Sequence, residues 1–284
     1  MISGFSISGF SISWRSCVAF VYINGFVVGL ATALHTCLSS SVWVSTFVKN
    51  GAVLWFLHYN THAKEKIQTA AAVAAANTRS SNPGWDLVLF VTTTCMQAAT
   101  HGYLLQGGFG VANGPGVAFF LPRLLMFEVL LDLGHYVAHR LLHAQRWLYP
   151  VHKWHHHYTR PTLLNTFYHH PLDLLLLDCL PTVGSMMVLH YGLLGGGPVF
   201  TPLQFQAVLV YKTFVEVAGH TGKRSVPTGS FPLCIWLPRF LGISLYTEDH
   251  ELHHRVGHCN YGKRFSLWDR VFGTYVPFFS SHSV

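Results

Sequence analysis

The feature that most narrows what this chain can become is a succession of apolar stretches, each close to the roughly 20 residues a helix needs to cross a bilayer core. They run over 17–34, 42–59, 85–105, 117–134, 172–194 and 199–218. The second is interrupted by Lys49 and Asn50, and the fourth carries Arg123, Glu128 and Asp132. The last two are joined by Gly195-Gly196-Gly197-Pro198 and read as a hairpin. Composition agrees: 50% of the residues are hydrophobic and 10% charged, against roughly a quarter charged in a soluble domain. That balance excludes a disordered chain, which is poor in apolar and aromatic residues. Six scattered cysteines with no CxxC pair exclude a small disulfide scaffold. The expectation is an all-α integral membrane helical bundle of four to six spans with a His-rich helical cytosolic cap.

Charge sets the orientation. If all six stretches cross, every one of the 18 basic residues except Lys49, Arg123 and Lys212 lies on one side, and those three lie within the stretches. By the positive-inside rule that side is cytosolic. The N-terminus repeats GFSIS at 4–8 and 9–13, lacks a basic region and a small-residue cleavage site, and reads as a polar tail. The Ala-rich segment Ala63–Ala76 reads as a helical connector. The chain divides into a tail (1–16), N-terminal membrane helices and connectors (17–116), a His-rich domain (117–276) and a C-terminal tail (277–284).

Fifteen of the 20 histidines fall between 135 and 258. His135 and His139 form HxxxH; His152, His155 and His156 form HxxHH; His250, His253 and His254 form a second HxxHH. On a helix, positions i, i+3 and i+4 share a face, so each motif aims its imidazoles at one point. Eight imidazoles exceed one ordinary ion and suit two. Imidazole suits Zn, Cu, Fe or Ni, whereas a structural zinc site more often includes Cys and stops at four ligands. At a membrane surface, a pair of iron ions that activates O₂ is the chemistry most in need of so large a cage. Glu128, Asp132, His135 and His139 step by four, three and four along one helix face. Asp132 is thus a candidate to orient a ligating ring or to pair with Arg123. Asp249, embedded in the third motif, is a further candidate for the former task. His143 continues the i+4 series where the chain leaves the helix.

The motifs HYVAH (135–139), HKWHH (152–156) and HELHH (250–254), in that order, resemble the membrane fatty acid hydroxylase and sterol desaturase superfamily. HHPLD (169–173) and NYGKRFSLWDRVFGT (260–274) extend the likeness over roughly 120–276. The resemblance implies a further metal-binding His, a place that His220 fits. It sets Glu216 where some relatives carry His or Asn, and makes His170 a residue near the site. It implies two Fe per chain and a sterol, fatty acyl or sphingoid substrate. It also implies electrons from a cytochrome b5-like carrier reduced by NAD(P)H, and a location in the endoplasmic reticulum. No HPGG, CxxCH or dinucleotide fingerprint supplies those electrons within the chain. Arg140, Lys223, Arg224, Lys263 and Arg264 form a basic set that would steer an acidic carrier. The expected reaction is hydroxylation or desaturation, and the same cage serves either. A membrane metal transporter or scaffold without oxygenase chemistry is the competing reading. Against it, the motifs cluster at one membrane surface.

Overall fold

Capping side chains and prolines fix where the helices begin. The computed structural model describes residues 5–7, 10–12, 14–67, 82–106, 111–112, 116–158, 161–224 and 237–278. Helix α1 (Trp14–Leu38) is followed by α2 (Val42–Thr61), whose cap Ser41 accepts the Val44 N–H at 3.3 Å. Helix α3 (Pro83–Gln106) starts on a proline, and Asn82 Oδ1 accepts the N–H groups of Gly84 and Trp85. Helix α4 (Phe120–Ala144) leads into the short α5 (Tyr149–His152). Helix α6 (Pro171–Leu193) contains two π-helical stretches, Leu175–Cys179 and Val188–Leu193. Helix α7 (Pro202–Gly219) opens on a reciprocal Thr201–Gln204 cap. Three shorter helices follow among the described residues: α8 (Leu237–Phe240), α9 (Thr247–Val256) and α10 (Leu267–Val271).

Helix α7 lies at the centre of the bundle, with most of its residues buried. One face of it (Val210, Tyr211, Phe214, Val217) packs with Val27, Ala31 and Leu34 of α1 and Val53 and Phe56 of α2. The other (Phe205, Val208, Leu209) packs with Phe127 and Leu131 of α4 and Met186 and Leu189 of α6. Helices α4 and α6 approach closely at Gly134, where a Cβ would lie 3.1 Å from the Pro181 side chain.

The expected all-α architecture is what the structure has. The N-terminal tail holds a small exception, because its repeat pairs with itself. Strand β1 (Phe5–Ile7) lies antiparallel to β2 (Phe10–Ile12), with Phe5 opposite Ile12. The connector expected over Ala63–Ala76 is not helical where it is described. Residues 64–67 form a bend and a bridge to Lys223, and 68–76 lie outside the described residues.

Among the described residues two helices, Ser16–Leu38 and Pro171–Leu193, are long and apolar enough to cross a membrane. The other long helices have an inside-out pattern. Large apolar side chains such as Trp43, Trp55, Leu87, Val91, Leu121 and Leu125 are exposed, while Lys49, Asn50, Gln97, Glu128 and Lys212 are buried. Several of these polar groups are linked to one another. Lys49 Nζ donates to Thr213 at 2.6 Å, and Asn50 donates to Thr94 and Gln97, each at 3.0 Å. Gln97 donates to Asp178 at 3.2 Å, and Lys212 bridges Asp178 and Glu216.

Candidate metal centre

Four chain segments bring the histidines together. The last turns of α4 present His139 and His143 one above the other. After the short turn from Gln145 to Leu148, α5 carries His152, and the 3₁₀ turn His155–His157 follows. His220 sits immediately beyond α7, and α9 supplies His250, His253 and His254. The rings form two groups. One contains His139, His143, His152, His156 and His253; the other contains His155, His220, His250 and His254. Within each group all the available nitrogens lie within 4.8 Å of one another.

Hydrogen bonds on the far side of the rings decide what faces inward. His139 Nδ1 donates to the Tyr261 carbonyl at 2.8 Å and His253 Nδ1 to the Cys259 carbonyl at 2.7 Å. His152 Nδ1 donates to Asp173 at 2.8 Å and His220 Nδ1 to the Glu216 carbonyl at 2.9 Å. With those protons committed, the Nε2 atoms are bare acceptors. Nevertheless His139 and His152 bring theirs to 3.1 Å of each other, and two lone pairs at that distance repel unless a cation lies between them. The Nε2 atom of His156 lies 3.0 Å from that of His152, and in the second group those of His220 and His250 lie 3.1 Å apart. With a metal–nitrogen bond of about 2.1 Å, neighbouring ligands lie about 3.0 Å apart at a right angle and about 3.4 Å at a tetrahedral angle. The residues therefore fit a divalent metal in each group. A thiol-free, nitrogen-only donor set suits first-row transition metals.

Burial pushes the imidazoles of His139, His155, His156, His220, His250, His253 and His254 well below their ordinary range, and that of His143 to about 3. The rings are accordingly neutral and ready to ligate. As the pH falls through about 6.5, the unfolded chain takes up protons at these rings and the folded chain does not, so acid destabilises the metal-free fold. The thermal midpoint of chelator-treated protein is expected to hold steady above about pH 7 and to fall progressively below about pH 6.5. A midpoint unchanged down to pH 5 would contradict the buried, neutral state.

Asp173 is the carboxylate that orients the site, and sequence reasoning did not assign it. Fully buried, it accepts from His152 at 2.8 Å and from His169 at 2.6 Å. His169 in turn stacks on His155, with ring centroids 4.5 Å apart. Such a partner fixes a ligand's tautomer and strengthens it as a donor. Asp173→Asn is expected to weaken metal retention by about 10–100-fold in a chelator competition.

Several sequence expectations are corrected. His135 joins neither group: its Nδ1 donates to the Leu177 carbonyl at 3.0 Å, and its Nε2 is buried without a partner. His143 takes the place expected of it, with its ring 4.7 Å from His152 and 4.8 Å from His253. Asp132 touches no imidazole and does not pair with Arg123. It accepts the N–H groups of Lys263 at 2.9 Å and Arg264 at 2.8 Å, and so anchors the loop after α9. Arg123 donates instead to the carbonyls of Pro198 and Val199. Asp249 caps α9 by accepting the Tyr246 N–H at 3.0 Å. His170 accepts the Leu172 N–H and meets Trp154, so it caps α6 without facing either group. Glu216 remains near the centre through its carbonyl and pairs with Lys212 at 3.0 Å and Arg264 at 3.4 Å. Lys263 and Arg264 are buried, which removes them from any surface that meets a carrier.

A cavity of about 40 Å³, lined in part by His135, His169, His220, His250, Asp178 and Glu216, opens between the imidazoles and the helix bundle. The π stretch Leu175–Cys179 shapes it by supplying both the Leu177 carbonyl and Asp178. π turns of this kind recur at functional sites. Lys263 Nζ reaches into the second group, 3.3 Å from His220 and 3.4 Å from His250. Burial lowers its ammonium to about 7. The loop that carries it turns at Gly262, where a Cβ would lie 2.5 Å from the Phe265 carbonyl oxygen.

The chain is similar to known proteins over more than half of its length. "Fatty acid hydroxylase vlmA" of a Lecanicillium species is 34% identical over 163 residues, 55% of this chain and 42% of that protein. "C-4 methylsterol oxidase erg25" of Schizosaccharomyces pombe is 31% identical over 182 residues, 58% of this chain and 52% of that protein. "Sphinganine C4-monooxygenase 1" of Arabidopsis thaliana is 29% identical over 157 residues, covering 53% and 52%. The chain thus spans about half the length of the curated relatives it matches. No solved structure matches it significantly. Residues 124–274, more than half of the chain, match the family described as Fatty acid hydroxylase, and the chain belongs to that family.

Proposed function

We propose that the protein is an O₂-dependent non-haem di-iron oxidoreductase that hydroxylates or desaturates a membrane lipid of the sterol, fatty acyl or sphingoid class. The observation that carries this reading is the pair of buried imidazole groups, in the first of which His139 and His152 face one another through bare Nε2 atoms. His139, His143, His152, His156 and His253 would hold one iron, and His155, His220, His250 and His254 the other. Bound iron supplies reductive O₂ activation and cleavage of an unactivated C–H bond. The chain's own residues do the rest. Asp173 and the carbonyls of Tyr261, Cys259 and Glu216 hold the rings in one orientation. The small cavity between the rings and α6 admits little more than a water-sized molecule, which keeps bulk water from the reacting atoms. Lys263 and Glu216, at its edge, are the groups placed to hold or hand on protons there.

The names of the relatives support a lipid substrate, and the exposed apolar faces of α1 to α4 and α6 support a bundle of four to six spans. The distribution of basic residues favours a cytosolic location for the imidazoles, in the endoplasmic reticulum membrane. Electrons come from a cytochrome b5-like carrier and NAD(P)H. Lipid profiling of cells with and without the gene tests the reaction. A product differing from its precursor by one oxygen or two hydrogens is expected; unchanged lipids together with an altered metal content would favour a metal transporter or scaffold.

A further inference from the structure

A second cavity lies apart from the metal-centred one. It measures about 650 Å³, within the roughly 300–1,000 Å³ range of small-molecule sites. Its floor is apolar, made by Leu54 and Trp55 of α2 and by Leu163 and Leu164 of the 3₁₀ turn Leu163–Phe167. Its rim is basic. Residues 65–67 and 222–224 form a two-stranded clip in which Lys66 bridges Lys223, Ile67 N–H donates to the Gly222 carbonyl and Arg224 N–H to the Glu65 carbonyl. The clip holds Lys66 and Lys223 side by side at the cavity mouth. Lys223 Nζ is fixed there by the carbonyls of His62 at 2.9 Å and Lys64 at 3.0 Å. The inner wall is made by Thr221 and Glu251, each the chain neighbour of an imidazole in the second group, His220 and His250. Thr221 Oγ1 is buried in that wall and has no hydrogen-bond partner among the described residues.

An apolar lining beside two lysines, one with its ammonium group held in place by backbone carbonyls, has the chemistry of an amphiphile site. We infer that this cavity binds a single-chain amphiphile with an anionic head, a carboxylate or a phosphate, its chain on the Leu54–Trp55–Leu163–Leu164 floor and its head against Lys66 and Lys223. That the amphiphile is the lipid on which the enzyme acts rests on the function proposed above; the binding does not. Either head presents charged oxygens to the ammonium groups, and charge-assisted contacts of this kind are stronger than neutral ones. A neutral chain of the same length keeps only the apolar part.

Displacement of cis-parinaric acid from the full-length, metal-free protein in micelles of an uncharged detergent reads this directly. Oleate and oleoyl lysophosphatidate are expected to displace the probe about tenfold better than oleyl alcohol, with the margin shrinking at high salt. Lys66→Glu, at an exposed position, is expected to abolish that margin without changing the response to oleyl alcohol. Lys223→Gln is expected to reduce it. A margin confined to one of the two anions upholds the site and assigns the head as carboxylate or phosphate. Equal displacement by all three lipids, or a margin untouched by Lys66→Glu, overturns the inference. Failure of the wild-type protein to bind iron would count against the proposed reaction while leaving this binding result intact.

Discussion

His152→Ala and His253→Ala proteins are expected to insert and fold but to retain about one metal ion in place of two, with turnover reduced by at least about 10³-fold. The estimate follows from what outer partners alone contribute, since removing a group that merely orients a ligand typically lowers metal affinity or activity about 10–100-fold. His152 and His253 are themselves in the first of the two imidazole groups, and the nitrogens of the group converge within 4.8 Å. Losing either ring opens that group and leaves the other, around His220 and His250, untouched. The same experiment separates two histidines that look alike along the chain. His143→Ala should lose metal with the other members of its group, whereas His135→Ala should retain both ions. Loss of metal from His135→Ala with retention in His143→Ala would reverse the assignment.

The second large effect concerns stability. Arg264 lies in the interior, where its guanidinium meets Glu128 at 3.0 Å and Glu216 at 3.4 Å, and the Arg264 and Glu128 side chains are 3% and 2% exposed. Replacing Arg264 by Met removes one partner of a buried ion pair and strands Glu128, a change that typically destabilises by about 3–5 kcal/mol. For a chain of this size that corresponds to a thermal midpoint lower by roughly 10 °C. Arg264→Met combined with Glu128→Met should recover most of the loss, because a well-packed apolar pair is often as stable as a buried ion pair. A single variant as stable as the wild type would mean that Glu128 does not depend on Arg264. Thermal unfolding in detergent measures both.

Much of the centre was legible because the histidine motifs are local in sequence, and the hairpin around Gly195–Pro198 follows from two apolar runs and a glycine-proline turn. The expectation that each motif aims its rings at one point does not hold: His152, His156 and His253 join one group and His155, His250 and His254 the other, and His155–His157 lie in a 3₁₀ turn beyond the helix that ends at His152. What was not legible depends on contacts distant in sequence. His135 and His143 each lie four residues from His139, so helix geometry treats them alike. The turn after Ala144 decides between them by folding α5 back against the end of α4 and bringing His152 to His143. The orienting carboxylate was missed for a similar reason. Asp132 shares a helix face with His135 and invites a local pairing, but three backbone N–H groups of the loop around Arg264 claim it. Asp173 instead meets His152 from the start of a different helix. The π stretch that turns the Leu177 carbonyl to His135 has no pattern in the sequence that marks it. The N-terminal repeat reads as a polar tail because a two-stranded pair of three residues each is too short to stand out as strand.

Nine histidines in two groups are expected to hold two metal ions, and metal analysis of protein purified without added metal is the decisive measurement. About two irons per chain are expected, with X-ray absorption showing a nitrogen- and oxygen-only shell and no sulfur ligand. A single exchangeable zinc, or iron well below one per chain in folded protein, would contradict it.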